Sequence, residues 1–336
     1  MILKKNDFQL NLPSSNSFKK TEDKLRKTRK RKIVAILFFG TTLISGLLYF
    51  QSKIKNWQQQ LFQPTTYRII NSNNDNDQLK EFIGFQPVLK NQDDLIKSIT
   101  LLLNNLSGTY GIYFYQFDNQ QSFGINDDKI YTAASVIKVP IMVNFYQEVE
   151  AGILKENSIY SLRQSDVLNY GTGILRYEKI GSKYEYKKLV ELSGKKSDNT
   201  AAYVLEQIIG RKKIQSRLDN LGLENTSIQD NTTTPKEMGN YFKLLFENKL
   251  ISQENKNKVF DFLIATDFED RLPQGIPANV QIAHKIGNEI QTYNDCGIIF
   301  GKKPYILCVL SKEVKEDEAL KAIPKISRLV WEYVDK

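Results

Sequence analysis

The chain has 336 residues, 47 Lys plus Arg against 38 Asp plus Glu, and a formal net charge of +9. At 41% apolar and 25% charged it has a globular composition and the length for a sizeable core, which excludes a disordered or collagenous chain. Two cysteines and one histidine, His284, exclude a disulfide-dense scaffold, a cysteine-based zinc module and a His-rich metal centre, so no metal or cofactor is expected.

The positive charge is unevenly placed. Residues 1–32 carry eleven Lys and Arg opposed by Asp7, Glu22 and Asp23, which puts +8 there and leaves +1 of the +9 for everything after. A nucleic-acid-binding protein carries its basic stripe on the folded part, so no nucleic-acid partner is expected. The eighteen residues Ile33 to Phe50 contain no charge. That is close to the shortest run that crosses a bilayer core of about 30 Å as a helix. The basic flank predicts a cytoplasmic N-terminus. A cleaved signal peptide would have a shorter basic region and an A-x-A site, and neither is present. The run therefore reads as an uncleaved, single-pass signal anchor, with the remainder outside the cytoplasm.

Residues 51–90 are polar and broken, with QQQ at 58–60 and NSNNDNDQ at 71–78, and read as a linker. The folded domain is expected over 91–336. Asp93 and Asp94 precede a helical apolar series at Leu95, Ile96, Ile99, Leu102, Leu103 and Leu106. Tyr110 to Asp118 with the short run after Asn119-Gln120 predicts a hairpin. Ser135 to Gly152 reads as a helix ended by glycine. Helices and polar turns follow to about residue 263. Val280–Lys285, Asp295–Phe300 and Tyr305–Ser311 read as strands, with a turn at 301–304, and Ala319 to Tyr333 as a closing helix. The expected fold class is α+β, an antiparallel sheet flanked by helices with a helical subdomain, preceded by one transmembrane helix.

Three short motifs occur in order: Ser135-Val136-Ile137-Lys138 at a helix start, Ser197-Asp198-Asn199, and Lys285-Ile286-Gly287 on a late strand. The first pattern alone means little, since it recurs at Ser17, Ser52 and Ser193. Order and setting give the set its weight. Ser-x-x-Lys, Ser-Asp-Asn and Lys-Thr-Gly mark class A β-lactamases and penicillin-binding proteins. Over about residues 91–336 the chain resembles that superfamily, most of all the class A β-lactamase-like serine hydrolases. KSDNTAAY at 196–203, TTTPKEM at 232–238, AHKIG at 283–287 and NDCGI at 294–298 add to the likeness.

The resemblance implies a nucleophile at Ser135 and a proton acceptor at Lys138, whose pKa must be lowered for the task. It implies that Ser197 relays a proton to the leaving nitrogen and that Lys285 orders the relay and attracts an anionic substrate. Asn199 would bind the substrate amide carbonyl, and Asp198 would hold its loop. The backbone N–H groups of Ser135 and Asn288, beside Gly287, would form the oxyanion hole. Tyr170 is either an aromatic at the cleft entrance or an ordinary packed tyrosine. The implied partner is a small β-lactam or a peptidoglycan peptide of the D-Ala-D-Ala type.

Two departures bear on activity. Ile286 stands where the motif usually has Thr or Ser, which removes a hydroxyl that helps to bind a substrate carboxylate. Ser197 to Pro235 is 38 residues, shorter than in class A β-lactamases, and the glutamate loop that activates the deacylating water is not recognisable. Glu224 or Asp230 could replace it, but both read as surface loop acids. The expectation is a serine acyl-enzyme with weak deacylation; the alternative is an inert penicillin-binding-like protein on the same fold. A Ser-His-Asp site using His284 is disfavoured, because strand alternation points His284 away from Lys285. Cys296 and Cys308 fall on neighbouring strands, as a disulfide or, preferably, as two buried core residues.

Overall fold

The computed structural model describes residues 89–335. The predicted basic tail 1–32, the anchor 33–50 and the linker 51–90, apart from its last two residues, lie outside them. Among the described residues no helix is long and apolar enough to cross a membrane.

Five antiparallel strands form the central sheet. They are β1 (Thr109–Gln116), β2 (Ser122–Ile125), β7 (Ile282–Glu289), β8 (Thr292–Ile299) and β9 (Tyr305–Lys312), in the order β2-β1-β9-β8-β7. Strand β7 is thus an edge. Two small ladders lie outside the sheet. One pairs β3 (Tyr131–Thr132) with β6 (Thr232–Thr233), and the other pairs β4 (Ile159–Ser161) with β5 (Lys183–Glu185).

The sheet is buried on both faces, which explains why its strands read as nearly continuous apolar runs. One face carries Ile112, Phe114, Ile282, Ile299, Leu307 and Val309 against α1 (Gln92–Leu103) and α8 (Glu316–Val334). Helix α8 presents Ala319, Ala322, Ile323, Ile326 and Val330 at helical spacing to that face. Helix α1 starts at Asn91, whose side chain accepts from the Asp94 N–H, with Asp93 and Asp94 favourably placed in the first turn.

The other face carries Ala283, Cys296, Ile298, Ile306, Cys308 and Leu310 against a helical layer. That layer comprises α2 (Lys138–Glu150), α3 (Tyr186–Lys195), α4 (Asn199–Ile209), α5 (Arg211–Asn220), α6 (Pro235–Phe246) and α7 (Gln253–Leu263). Thr234 caps α6 and Pro235 occupies its first turn, where a missing N–H costs nothing. This is the α+β arrangement expected from the order of elements.

Three local differences stand out. The predicted strand 280–285 continues to Glu289 and turns back through Ile290 and Gln291, the latter with φ +54°. Asn288 and Glu289 are exposed on the sheet edge, so no apolar alternation marks them. The predicted helix at Ser135 opens instead with a 3₁₀ turn, Ala134–Ile137, and becomes α-helical at Lys138. The small ladders went unpredicted because two or three residues carry no readable periodicity.

Candidate active site

Ser135, Lys138, Ser197, Asn199 and Lys285 come together where the edge strand β7 meets the helical layer. The 3₁₀ turn bearing Ser135 is entered through Ala134 at φ +49°, in the left-handed region that non-glycine residues rarely occupy. It is strapped from both sides. The Ala133 N–H donates to the Asn231 carbonyl at 2.8 Å, and the buried Asn294 of β8 donates from Nδ2 to the carbonyls of Thr132 and Ala133, at 2.8 and 3.2 Å. Gly287 of β7 lies so close that a Cβ there would sit 2.6 Å from the Ala133 carbonyl oxygen and 3.2 Å from the Ser135 nitrogen. Only glycine lets the strand approach the nucleophile turn this closely.

Lys138 is one turn beyond Ser135, so both side chains lie on one face. Its Nζ is 2.9 Å from Ser135 Oγ, 2.5 Å from the Ser197 carbonyl oxygen, 2.6 Å from Asn199 Oδ1 and 3.2 Å from Ser197 Oγ. The two carbonyl oxygens can only accept. A neutral amine offers two N–H donors and one lone pair, so with both donors used on them the lone pair is left for a hydroxyl, and Ser135 Oγ is the nearer of the two within reach. Asn199 is oriented for this, since its Nδ2 donates to the Tyr170 carbonyl at 3.3 Å. Lys285 Nζ donates to Ser197 Oγ at 2.9 Å, which places the Ser197 hydroxyl between the two lysines.

Ser197 holds a left-handed backbone, φ +50°, and is 1% exposed. Asp198 stabilises that conformation. One carboxylate oxygen accepts from the Ala201 N–H at the start of α4, and the other accepts from the N–H groups of Ile174 and Leu175. Thr172 donates to the Ser197 carbonyl at 2.7 Å. At Gly171, φ +71°, an added Cβ would meet Asn199 Nδ2 at 2.0 Å.

Burial, and next the charge of Lys285, hold the Lys138 amine well below the ordinary lysine range, with Asp198 partly opposing. Burial lowers Lys285 to about 7; Asp295 opposes this and Arg271 adds to it. Both shifts favour the neutral amine, the form able to take a proton.

The remaining predicted residues are also placed. Tyr170 is 65% exposed, which excludes an ordinary packed tyrosine. Asn288 follows Gly287 on the open edge of β7 and is exposed. Ile286 is 4% exposed and pairs with Asp295, on the sheet face opposite Lys285. His284 also faces away from Lys285: its Nδ1 is 2.8 Å from Asp295 Oδ1 and its Nε2 is 3.3 Å from Glu269 Oε1. Glu224 and Asp230 are exposed in the turn between α5 and β6, and Asp230 accepts from Ser227. Cys296 and Cys308 are directly opposed on β8 and β9, buried and unbridged. Among the described residues no cluster of His, Cys, Asp and Glu is disposed to hold a metal ion.

Sequence reasoning missed Arg271, which lies in the irregular segment between α7 and β7. It is 1% exposed, and burial lowers its pKa. Its Nη1 donates to the Asn294 carbonyl at 2.8 Å and to the Gly287 carbonyl at 3.4 Å, and its Nη2 donates to Asn288 Oδ1 at 2.5 Å. No local motif marks it. A buried arginine beside Lys285 becomes visible only once the chain is folded.

Fold and site together define a β-lactamase-like serine hydrolase. The profile of the "Beta-lactamase enzyme family" matches residues 94–334, and the chain belongs to that family. It is 23% identical over 272 residues to β-lactamase VEB-1 of Pseudomonas aeruginosa, spanning 72% of this chain and 90% of that protein. PBP-A superimposes with a TM-score of 0.69 at 25% identity, over 73% of this chain and 97% of its own; a variant of PBP-A has been solved as an acyl-enzyme complex with penicillin G. The β-lactamase of Sphaerobacter thermophilus has the same fold, with a TM-score of 0.68 at 22% identity over 72% and 97% of the two chains.

Proposed function

We propose that the protein is a membrane-anchored serine hydrolase that forms an acyl-serine intermediate with a β-lactam or a D-Ala-D-Ala-type peptide amide. The observation that carries this reading is the buried Lys138 amine, its pKa held well below the ordinary lysine range, with Nζ 2.9 Å from Ser135 Oγ. Lys138 takes the Ser135 proton as Oγ attacks the amide carbonyl. The N–H groups of Ser135 and Asn288 receive the developing oxyanion. Ser197 then passes its hydroxyl proton to the departing nitrogen and takes in its place the proton that Lys138 received from Ser135, across 3.2 Å, with Lys285 holding the Ser197 oxygen. Asn199 binds the substrate's amide carbonyl, and Tyr170 covers the cleft entrance. With isoleucine at 286, attraction of an anionic substrate falls to Lys285, with the buried charge of Arg271 behind it.

Deacylation is the slow step. The hydrogen bonds of Ser135 and Lys138 include no carboxylate. Glu237 is occupied elsewhere, accepting from Asn225 and Thr226 to close the shortened turn before β6. The acyl-enzyme therefore persists. Residues 33–50 hold the protein in the bacterial cytoplasmic membrane with the tail 1–32 inside, and the linker 51–90 carries the domain 91–336 on the outer side.

Intact-mass measurement after incubation with penicillin tests the reading. The expected result is one penicilloyl group per chain, absent from Ser135→Ala and decaying over many minutes. Labelling absent from the wild type, or equal in Ser135→Ala, would overturn it and leave an inert penicillin-binding-like protein. Fast steady turnover of a chromogenic cephalosporin would overturn the slow deacylation.

A further inference from the structure

The mechanism above leaves a buried cluster unused on the far face of β7. His284 is its centre. Nδ1 engages Asp295 on β8, and Nε2 engages Glu269 on the segment between α7 and β7. Glu269 Oε1 also accepts from the Thr266 N–H at 2.6 Å and from Thr266 Oγ1 at 2.9 Å. Asp295 Oδ2 accepts from the Leu272 N–H at 3.0 Å, and the Leu272 carbonyl accepts from Ser327 Oγ of α8 at 2.8 Å. The residues at 269 and 272 are thus tied to the histidine or to its carboxylate partner. Between them stands Arg271, which the cluster fixes from both sides.

Arg271 in turn grips the end of β7 that carries the oxyanion donor. Gly287 and Asn294 are paired residues, and the carbonyls of both accept from Nη1, so the Gly287 carbonyl is turned towards β8. The Asn288 N–H belongs to the same planar peptide unit and points the opposite way, off the open edge of β7. The side chain of Asn288 is held separately by Nη2. A half-turn of this peptide would swing the N–H away from the reacting carbonyl, and catalysis by such donors depends on their being aimed in advance.

We infer that His284 and Arg271 are positioning residues for the oxyanion-binding N–H of Asn288, acting as one chain from His284 through Glu269 and Asp295 to Arg271 and the Gly287 carbonyl. The inference rests on the acyl-serine reading. It adds two residues that touch neither the substrate carbonyl nor Ser135. It also gives the single histidine a role that is neither nucleophile activation nor metal binding.

The test is the concentration dependence of acylation by a fluorescent penicillin, which separates the acylation rate constant from apparent affinity. Intact mass gives the fraction of protein that can be labelled, so material lost to misfolding does not enter the rate constant. Removing one oxyanion donor costs about 10²–10³ in rate, and a misaimed donor costs part of that. Arg271→Ala and His284→Ala are each expected to lower the rate constant about tenfold or more. The double variant should fall no further than the worse single one, because both act on the same peptide. Arg271→Lys should recover part of the loss. Should His284→Ala fail to fold, Glu269→Ala, at a partly exposed position, should still slow acylation about threefold or more. Rate constants unchanged in the labelled fraction, or losses that multiply independently, would overturn the proposal. An unlabelled wild type would strike the acyl-serine reading itself, and this proposal with it; a labelled wild type with unaffected variants would strike this proposal alone.

Discussion

His284 and Lys285 are consecutive on β7, and neither is more than 2% exposed. Burial acts against a positive charge on each. On His284, burial is outweighed by the charge and hydrogen bond of Asp295 and by Glu269, and the pKa is raised to about 9. On Lys285 burial prevails, and the pKa is lowered to about 7. The difference lies in what each face of the sheet offers. The His284 face has two carboxylates at hydrogen-bond distance. The Lys285 face has the neutral Ser197 hydroxyl, the Ile286 carbonyl and the cross-strand neighbour Cys296. Alternation along one strand separates a compensated charge, which holds structure, from an uncompensated one available for chemistry.

The largest expected effect comes from the uncompensated face. Lys138→Ala should lower the acylation rate constant about 10²–10⁴-fold, the usual worth of a positioned proton acceptor, measured by stopped-flow labelling. On the compensated face, His284→Ala leaves Asp295 buried without its cation. It should cost about 2–3 kcal/mol in a urea titration at pH 6, less than for a fully buried pair because Glu269 is partly exposed. The charged groups around the ring are Asp295 on β8 and Glu269 beside it, with Arg271 adjoining Asp295. The folded pKa of about 9 lies above the ordinary 6.5. The stability it confers is therefore complete below about pH 6.5 and is lost as pH rises through 9, and the Tm of His284→Ala should lack that component of the decline.

A third change makes the faces alike. Cys296→Asp places a carboxylate opposite Lys285. The wild type should bind anionic penicillin less tightly as pH rises through about 7 and Lys285 loses its proton. In the variant that fall should move up by about one to three pH units, read from apparent affinity against pH. The smallest effect belongs outside the comparison: Tyr170→Ala at the exposed entrance should weaken apparent affinity only about two- to fivefold, on the order of 1 kcal/mol or less.

Legibility in the sequence followed the same division. Ser135, Lys138, Ser197, Asn199 and Lys285 were readable because each sits in a short local pattern whose order along the chain carries information. The sheet and the closing helix were readable from sustained apolar runs and helical spacing. Arg271, Asn294 and Thr172 were not assigned roles, because each acts through a backbone carbonyl brought close only by tertiary packing. Asn294 lies in a quoted segment, NDCGI, yet nothing there shows that it straps the nucleophile turn. The left-handed backbone at Ala134 and Ser197 was invisible for the opposite reason: the local preference of these residues is overruled by the hydrogen bonds around them.

The opposed cysteines of β8 and β9 bear on chemical selectivity. Both are fully buried, and burial, with the neighbouring Cys308, pushes the Cys296 thiol well above its ordinary range. A thiol kept protonated and out of solvent is a poor nucleophile. An electrophilic ring entering the cleft therefore meets the Ser135 hydroxyl without competition from the buried sulfurs of the neighbouring strands, and covalent probes built on such rings should report a single stoichiometric adduct.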